Sequence, residues 1–234
     1  MSATGRSVAA GTGYERHPDD DFATPYWCTR AILPFLRFTD ATKGAFDPCC
    51  GSGAILDVAS ERWKAKRGIE INHDRAMAAR VKGHFVVRAD TLTHPWPDVN
   101  VGITNPPYSL AMEIILRSMD LARRIDFAFL LRLNFLGSQK RAAFHKEHPA
   151  DIYPLPKRPE FVLSVSCKKK KECGWGVTIP FLPTGVLSSP KPTACGQCDG
   201  PVVSSSSDAT EYGWFVWGPG RGNRWFMLDV PGGS

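Results

Sequence analysis

Apolar and polar residues follow two periods along this chain. Val99, Val101 and Ile103 alternate with Asn100, Gly102 and Thr104, the period of a strand, whereas Ile55, Leu56, Val58 and Ala59 recur as on one face of a helix. Further strands are predicted at Ala45-Phe46, within Gly68-Ile69-Glu70-Ile71-Asn72 with Glu70 ending it, and at Phe85 to Asp90 with Asp90 ending it. Others follow at Asp126 to Leu131, a continuous apolar run, at Asp151 to Pro156, and at Glu211 to Trp217. Helices are predicted through Ile32, Leu33 and Leu36 and from Gln139 to His148. This pattern predicts an open α/β sheet, in which ligands bind outside the carboxyl ends of the strands.

Two short blocks stand at such ends. Asp47-Pro48-Cys49-Cys50-Gly51-Ser52-Gly53 is a glycine turn between a strand and a helix, the place where a nucleotide-like cofactor docks. Gly51 and Gly53 lack a β-carbon, so the backbone can approach the ligand closely. Asn105-Pro106-Pro107-Tyr108 follows the strand ending at Thr104, and its two prolines hold the chain extended and rigid. A carboxylate at the end of the second strand can accept hydrogen bonds from both ribose hydroxyls, which makes Glu70 the candidate for that role.

The two blocks, in this order, resemble the S-adenosylmethionine-dependent amino-methyltransferases, and especially the DNA adenine-N6 methyltransferases. The likeness covers residues 22 to 161 and 208 to 230. It implies a Rossmann-like class I methyltransferase fold with a mostly parallel sheet, helices on both faces and an antiparallel terminal strand. Asp90, with Thr91 beside it, would then accept from the amino group of the cofactor's adenine, and Asp47 would lie near its methionine moiety. Pro48, Cys49 and Ile71 complete the implied cofactor-binding set. Phe22-Ala23-Thr24-Pro25-Tyr26-Trp27 looks like the aromatic and Thr-Pro element that precedes the cofactor loop in these enzymes, which adds Phe22, Thr24 and Pro25, and Asn105 also faces the cofactor. The catalytic set is Asn105, Pro106, Pro107 and Tyr108. Arg158-Pro159-Glu160-Phe161 falls where the family supplies an aromatic, so Phe161 and Tyr108 are the candidates for stacking on an extruded base.

An adenine amino group is a poor nucleophile because its lone pair is delocalised into the ring. The Asn105 side-chain oxygen and the Pro106 carbonyl can accept its two hydrogens and favour a tetrahedral nitrogen. The same chemistry suits cytosine-N4, RNA adenine and the amide of a protein glutamine. Asn at position 105 and the Thr24-Pro25 element favour adenine in DNA. A catalytically idle DNA-binding module is the alternative of another class.

Composition narrows the setting. The 234 residues, 43% of them apolar, suit one methyltransferase domain with an insertion. The expected boundaries are a tail over 1–21, the domain over 22–161 and 208–234, and a cysteine-containing insertion over 162–207. No segment resembles a signal peptide or a membrane span, so a cytoplasmic protein without membrane contact is expected, and a monomer is favoured although the sequence does not fix the oligomeric state. The net charge of +6 suits a polyanion, and double-stranded DNA is the expected partner. Lys140, Arg141, Lys146, Lys157, Arg158 and the run Lys168 to Lys171 all follow the tetrad, so a basic surface is expected beside the base pocket.

Seven cysteines fall in two groups. Cys28, Cys49 and Cys50 read as small, semi-buried residues. Cys167, Cys173, Cys195 and Cys198 lie in a segment rich in Lys, Gly, Pro and Ser that has few large apolar groups and needs a staple. In a cytosolic protein structural zinc in a zinc-ribbon-like insertion is the expected staple, with Cys195-Gly-Gln-Cys198 as the knuckle, and the alternatives are a redox or disulfide role and free cysteines in a loop. Five residues separate Cys167 from Cys173, a wider loop than usual. Four cysteines leave no open position for catalysis.

Overall fold

A computed structural model describes residues 23–37, 43–168, 173–205 and 210–229. Its main sheet contains β1 (Ala45–Asp47), β2 (Lys66–Glu70), β3 (Phe85–Arg88), β4 (Val101–Thr104), β5 (Asp126–Arg132), β6 (Asp151–Pro154) and β10 (Tyr212–Trp217). They lie side by side in the order β3-β2-β1-β4-β5-β10-β6. Neighbours pair in parallel from β3 to β5, while β10 is inserted antiparallel between β5 and β6. The chain therefore reverses its direction of travel across the sheet between β1 and β4. That switch point opens a crevice at the carboxyl ends of those two strands, where both sequence blocks emerge.

Both faces of the sheet are covered, which is why β5 and β10 are buried at nearly every position rather than alternating. Ala128 and Leu130 of β5 join Trp214 and Val216 of β10 under α1 (Tyr26–Ile32) and α2 (Ala54–Ala59). Phe127, Phe129 and Leu131 face the other way, with Phe215 and Trp217, toward α4 (Ala111–Ala122) and α5 (Gln139–Glu147). The remaining helix, α3 (His73–Val81), begins at Asn72, whose side chain accepts from the backbone N–H groups of Asp74 and Arg75. β2 ends at Glu70, as expected, and Asn72 caps the helix that follows. The helix predicted through Leu36 stops sooner. Pro34 has no N–H to donate, so α1 ends at Ile32 and a single 3-10 turn, Leu33–Phe35, follows.

The cysteine-bearing segment forms a separate three-stranded antiparallel sheet, with β7 (Val162–Cys167) between β8 (Gly176–Pro180) and β9 (Val202–Ser205). It is less coreless than its composition implies. Val165 and Ile179 are buried, with Trp175, Phe181, Leu187 and Val202 packed against them. None of the described helices is long and apolar enough to cross a membrane.

The amino-terminal edge of the sheet is tied by buried charge. Asp126 opens β5 and Asp151 opens β6, and both side chains are fully buried. Arg221 reaches Asp126 at 2.5 Å, Asp151 at 3.4 Å and the Tyr153 hydroxyl at 2.7 Å, while Arg37 also pairs with Asp126 and Arg224 with Asp151. Burial alone would raise the Asp126 carboxyl, but hydrogen bonds from Arg221 and Arg37 outweigh it and hold it below the ordinary aspartate range. Its stabilising contribution is therefore full above the unfolded carboxylate range and lost as pH falls through it. Arg221→Met is expected to destabilise the fold by about 3 kcal/mol, the lower end for breaking a buried pair, because Arg37 and Arg224 remain. Urea unfolding at pH 7 reads this directly, and an unchanged midpoint would show that the network contributes nothing.

Candidate active site

At the switch point the glycine turn and Asn105, the first residue of the Asn-Pro-Pro-Tyr block, face one cleft, lined by Thr24, Asp47, Cys49, Gly51, Ser52 and Asn105 among others. The turn takes its shape from left-handed backbone at Gly51 (φ 52°) and Gly53 (φ 88°). Gly53 also has the His84 ring beneath it, and a β-carbon there would stand 2.7 Å from the ring. A larger residue would both strain the turn and displace the histidine. His84 in turn contacts Asp57 at 2.6 Å, and Asp57 accepts from the Tyr26 hydroxyl at 2.7 Å, so the turn, α2 and α1 are held together.

The acids sit along the same edge. The two Glu70 oxygens accept from the backbone N–H of Gly51 (2.9 Å) and of Asn72 (2.7 Å), which fixes the carboxylate against the turn while leaving lone pairs on each oxygen. Asp90 is exposed and accepts from the Leu92 N–H at 2.9 Å, closing a short turn after β3. Thr91 beside it is buried. Ile71, next to Glu70, is 66% exposed, an uncovered apolar side chain at the carboxyl end of β2.

Asp47 is buried and accepts from the Cys49 N–H at 2.9 Å. Burial, assisted by the negative charge of Glu70, pushes its carboxyl up to about 7. The same burial, with these acids nearby, raises both the Cys49 and the Cys50 thiols. Both are neutral near pH 7, so neither is a thiolate nucleophile.

The most informative atom is in the second block. Asn105 donates from Nδ2 to the Thr24 hydroxyl at 3.1 Å, and this contact turns its Oδ1 the other way. Oδ1 is buried and has no hydrogen-bond partner among the described residues. A buried, unsatisfied carbonyl costs roughly 1–3 kcal/mol, so an acceptor held this way is suited to a donor that arrives with a ligand. Pro106 is buried and Pro107 half-buried, and the N–H of Leu110 bonds to the Pro107 carbonyl, fixing the end of the block.

Tyr108 is half-buried in an aromatic cluster. Its ring lies 6.2 Å from Tyr212, and the Arg132 guanidinium stands over it at 4.6 Å. Phe161 is only 9% exposed and meets Tyr212 edge-on at 5.4 Å. Tyr212 and Arg132 were not singled out in the sequence, although one begins β10 and the other ends β5 on the ligand edge. Phe22 and Lys169 to Lys171 lie outside the described residues. Of the remaining basic candidates, Arg141 stacks on Phe135, Lys157 lies over Trp27 and Arg158 pairs with Glu211.

The four distal cysteines come together. Their sulfur atoms all lie within 4.8 Å of one another, with Cys167 to Cys198 at 3.7 Å and Cys173 to Cys195 at 3.5 Å. A tetrahedron with metal–sulfur bonds of ~2.3 Å has edges of ~3.8 Å, so the cluster is near the size of a four-thiolate metal site. The Gln197 N–H points at the Cys195 sulfur at 3.4 Å, and Asp199 adopts a left-handed turn (φ 52°) that closes the knuckle.

The strand order, the antiparallel β10 and the crevice between β1 and β4 define a Rossmann-like methyltransferase fold. Solved structures share it. A protein described as a modification subunit of a type I restriction enzyme from Vibrio vulnificus aligns with 92% of this chain and 48% of its own, at 15% identity and a TM-score of 0.53. A protein described as an RNA methyltransferase from Pyrococcus horikoshii aligns with 86% of this chain and 88% of its own, at 12% identity and a TM-score of 0.51. The chain spans about half the length of the first of these, and at such identities the likeness is one of fold. No protein-family model and no curated protein matches the sequence.

Proposed function

We propose that this protein transfers a methyl group from S-adenosylmethionine to the exocyclic amino group of adenine in DNA. The observation that carries the reading is the buried, unpartnered Oδ1 of Asn105, held by Thr24 at the switch point across the cleft from the glycine turn. An amino donor is what that atom lacks. The bound cofactor would supply the methyl group on a sulfonium, a cation that suits an edge carrying Asp47, Glu70 and Asp90. In this reading Glu70 takes the ribose hydroxyls, Ile71 offers an apolar surface to the adenine ring, Asp90 and Thr91 close over its edge, and Asp47 lies near the methionine end. Pro48, Cys49, Gly51 and Gly53 shape the turn, and Pro25 with Thr24 borders it.

Asn105 Oδ1 and the Pro106 carbonyl accept the two amino hydrogens of the target base and draw its lone pair out of conjugation. Pro107 keeps that carbonyl fixed. A base in a duplex must first be extruded at a cost of a few kcal/mol, part of which is returned by stacking on Tyr108 at ~1–3 kcal/mol. Phe161 joins the same cluster, and stacking on it would require its ring to be uncovered. The four-cysteine cluster is assigned to structural zinc. The test is calorimetry with S-adenosylmethionine followed by transfer of labelled methyl to duplex DNA, RNA and protein in parallel. Labelled N6-methyladenine from DNA is the expected product. Label in RNA or protein alone would overturn the DNA assignment, and absence of cofactor binding would overturn the whole reading.

The raised Asp47 carboxyl gives a pH signature. A cation bound nearby favours ionised Asp47, so binding below about pH 7 must release its proton. Cofactor affinity is expected to rise by up to ~10-fold per pH unit below about 7 and to level off above it. Calorimetry in two buffers of different ionisation enthalpy at pH 6 measures the released proton, and a flat profile would remove Asp47 from the cofactor's surroundings. The same shift means that this group's contribution to stability is full below the unfolded aspartate range and is lost as pH rises through about 7.

A further inference from the structure

Between β8 and the knuckle, the insertion makes a small hairpin that touches the core on both sides of the candidate site. Phe181 pairs with Leu187, and the Phe181 N–H bonds to the Phe161 carbonyl at 2.9 Å. At the tip, the Tyr26 N–H bonds to the Pro183 carbonyl at 2.8 Å. Tyr26 lies two residues from Thr24, the residue that orients Asn105. The hairpin thus spans from the aromatic cluster around Tyr108 to the Thr24-Pro25 element.

The tip is rigid. The Gly185 N–H bonds to the Leu182 carbonyl and the Leu182 N–H to the Val186 carbonyl, while Gly185 is left-handed (φ 87°) and Pro183 presets the turn. This is the three-residue connection of a turn followed by a left-handed residue. It places Leu182 and Val186 opposite each other at the base of the turn. Leu182 is 46% exposed and Val186 62% exposed, whereas Phe181 and Leu187, one step further in, pack on the small core of the insertion. Two apolar side chains are therefore displayed on a hydrogen-bonded tip that is joined to Tyr26, beside the Thr24-Pro25 element, rather than buried. The segment that carries them, residues 157–205, has seven lysines and arginines against three acids, a balance that favours a polyanionic partner.

We propose that Leu182 and Val186 form a wedge that enters the base stack of duplex DNA and occupies the space left by the extruded nucleotide. The inference rests on the methyltransferase reading above. Apolar wedges between base steps are a general way to hold a duplex open, and their benefit exists only where there is a stack to open. The wedge should therefore matter for duplex and not for separated strands.

The experiment compares labelled methyl transfer by the full chain and by the double variant Leu182→Ser, Val186→Ser. The probes are unmethylated genomic duplex DNA and the same DNA after strand separation, with cofactor binding followed by calorimetry. The duplex rate of the variant is expected to fall by ~10-fold or more, while its rate on separated strands and its cofactor affinity stay within ~2-fold of the unmodified chain. An undiminished duplex rate would overturn the wedge alone. An equal loss on both probes would also overturn it, by showing that the tip serves the site's packing. If the unmodified chain methylates neither probe, the methyltransferase reading fails and the wedge falls with it.

Discussion

Replacing Asn105 by alanine is expected to slow methyl transfer by ~10² or more while leaving cofactor affinity within a few-fold, as when other preorganised polar groups are removed from a reacting centre. The reason lies in the atom's surroundings. Oδ1 is already desolvated and aimed by the Thr24 contact, so no reorganisation is needed when the amino nitrogen begins to pyramidalise. Alanine removes that acceptor and leaves the Pro106 carbonyl alone. It also removes an orphaned polar atom from the protein, so stability should hold or rise slightly, which separates a catalytic loss from a folding loss. Single-turnover transfer at saturating cofactor, with urea unfolding in parallel, makes the distinction. A rate near that of the unmodified chain would end the assignment of Asn105.

The contact with Thr24 yields a subsidiary expectation from the same geometry. Thr24→Val keeps the size of the side chain but cannot accept from Asn105 Nδ2, so the amide loses its orientation. The transfer rate should fall, though by less than in Asn105→Ala, because a misoriented oxygen is still present for part of the time. The same single-turnover assay reads it, and a loss confined to cofactor affinity would assign Thr24 to binding only.

How far the sequence discloses this site depends on which kind of information each part needs. Strand ends are legible because the chain changes character there: Asp47, Glu70 and Thr104 each follow an apolar residue with a polar one, and each lies at the carboxyl end of its strand. The antiparallel last strand followed from the family likeness and is present as β10. What the sequence hid are contacts set by tertiary packing. Thr24 and Asn105 are 81 residues apart, and nothing in either segment states that one aims the other. Arg132 and Tyr212 are 80 apart and flank Tyr108 only because β10 lies beside β5. Two of the described helices lie outside those the sequence pattern predicts: α3 buries only Ala76 and Ala79, too weak a stripe to register as amphipathic, whereas α4 buries Ala111, Ile114, Ile115 and Ala122 against the sheet. In the insertion, the alternation of Val165, Cys167, Ile179 and Phe181 was masked by the surrounding Lys, Gly, Pro and Ser.

That small core bears on how firmly the insertion depends on its cysteines. Among the described residues the insertion's core is two buried apolar side chains and four partly buried ones, far less than an independent domain needs, and chains this small commonly depend on a staple. Structural zinc in small peptides binds with an apparent ~10–16 kcal/mol, comparable with the whole stability of a domain at ~5–15 kcal/mol. Removing it by chelation, or weakening it by Cys195→Ser, is therefore expected to unfold the three-stranded sheet. The seven-stranded sheet has its own interior on both faces and should persist, with cofactor affinity nearly unchanged. DNA affinity should fall, and its salt dependence should become shallower, because a basic segment would no longer be held against the phosphates. Elemental analysis of protein purified without added metal should give one zinc per chain, and DNA titrations at two salt concentrations should show the loss after chelation. A preparation with no bound metal, an ordered insertion and full DNA affinity would overturn both the metal assignment and the role given to the segment. Loss of metal that also abolished cofactor binding would show instead that the Tyr26–Pro183 contact transmits the insertion's order into the cleft.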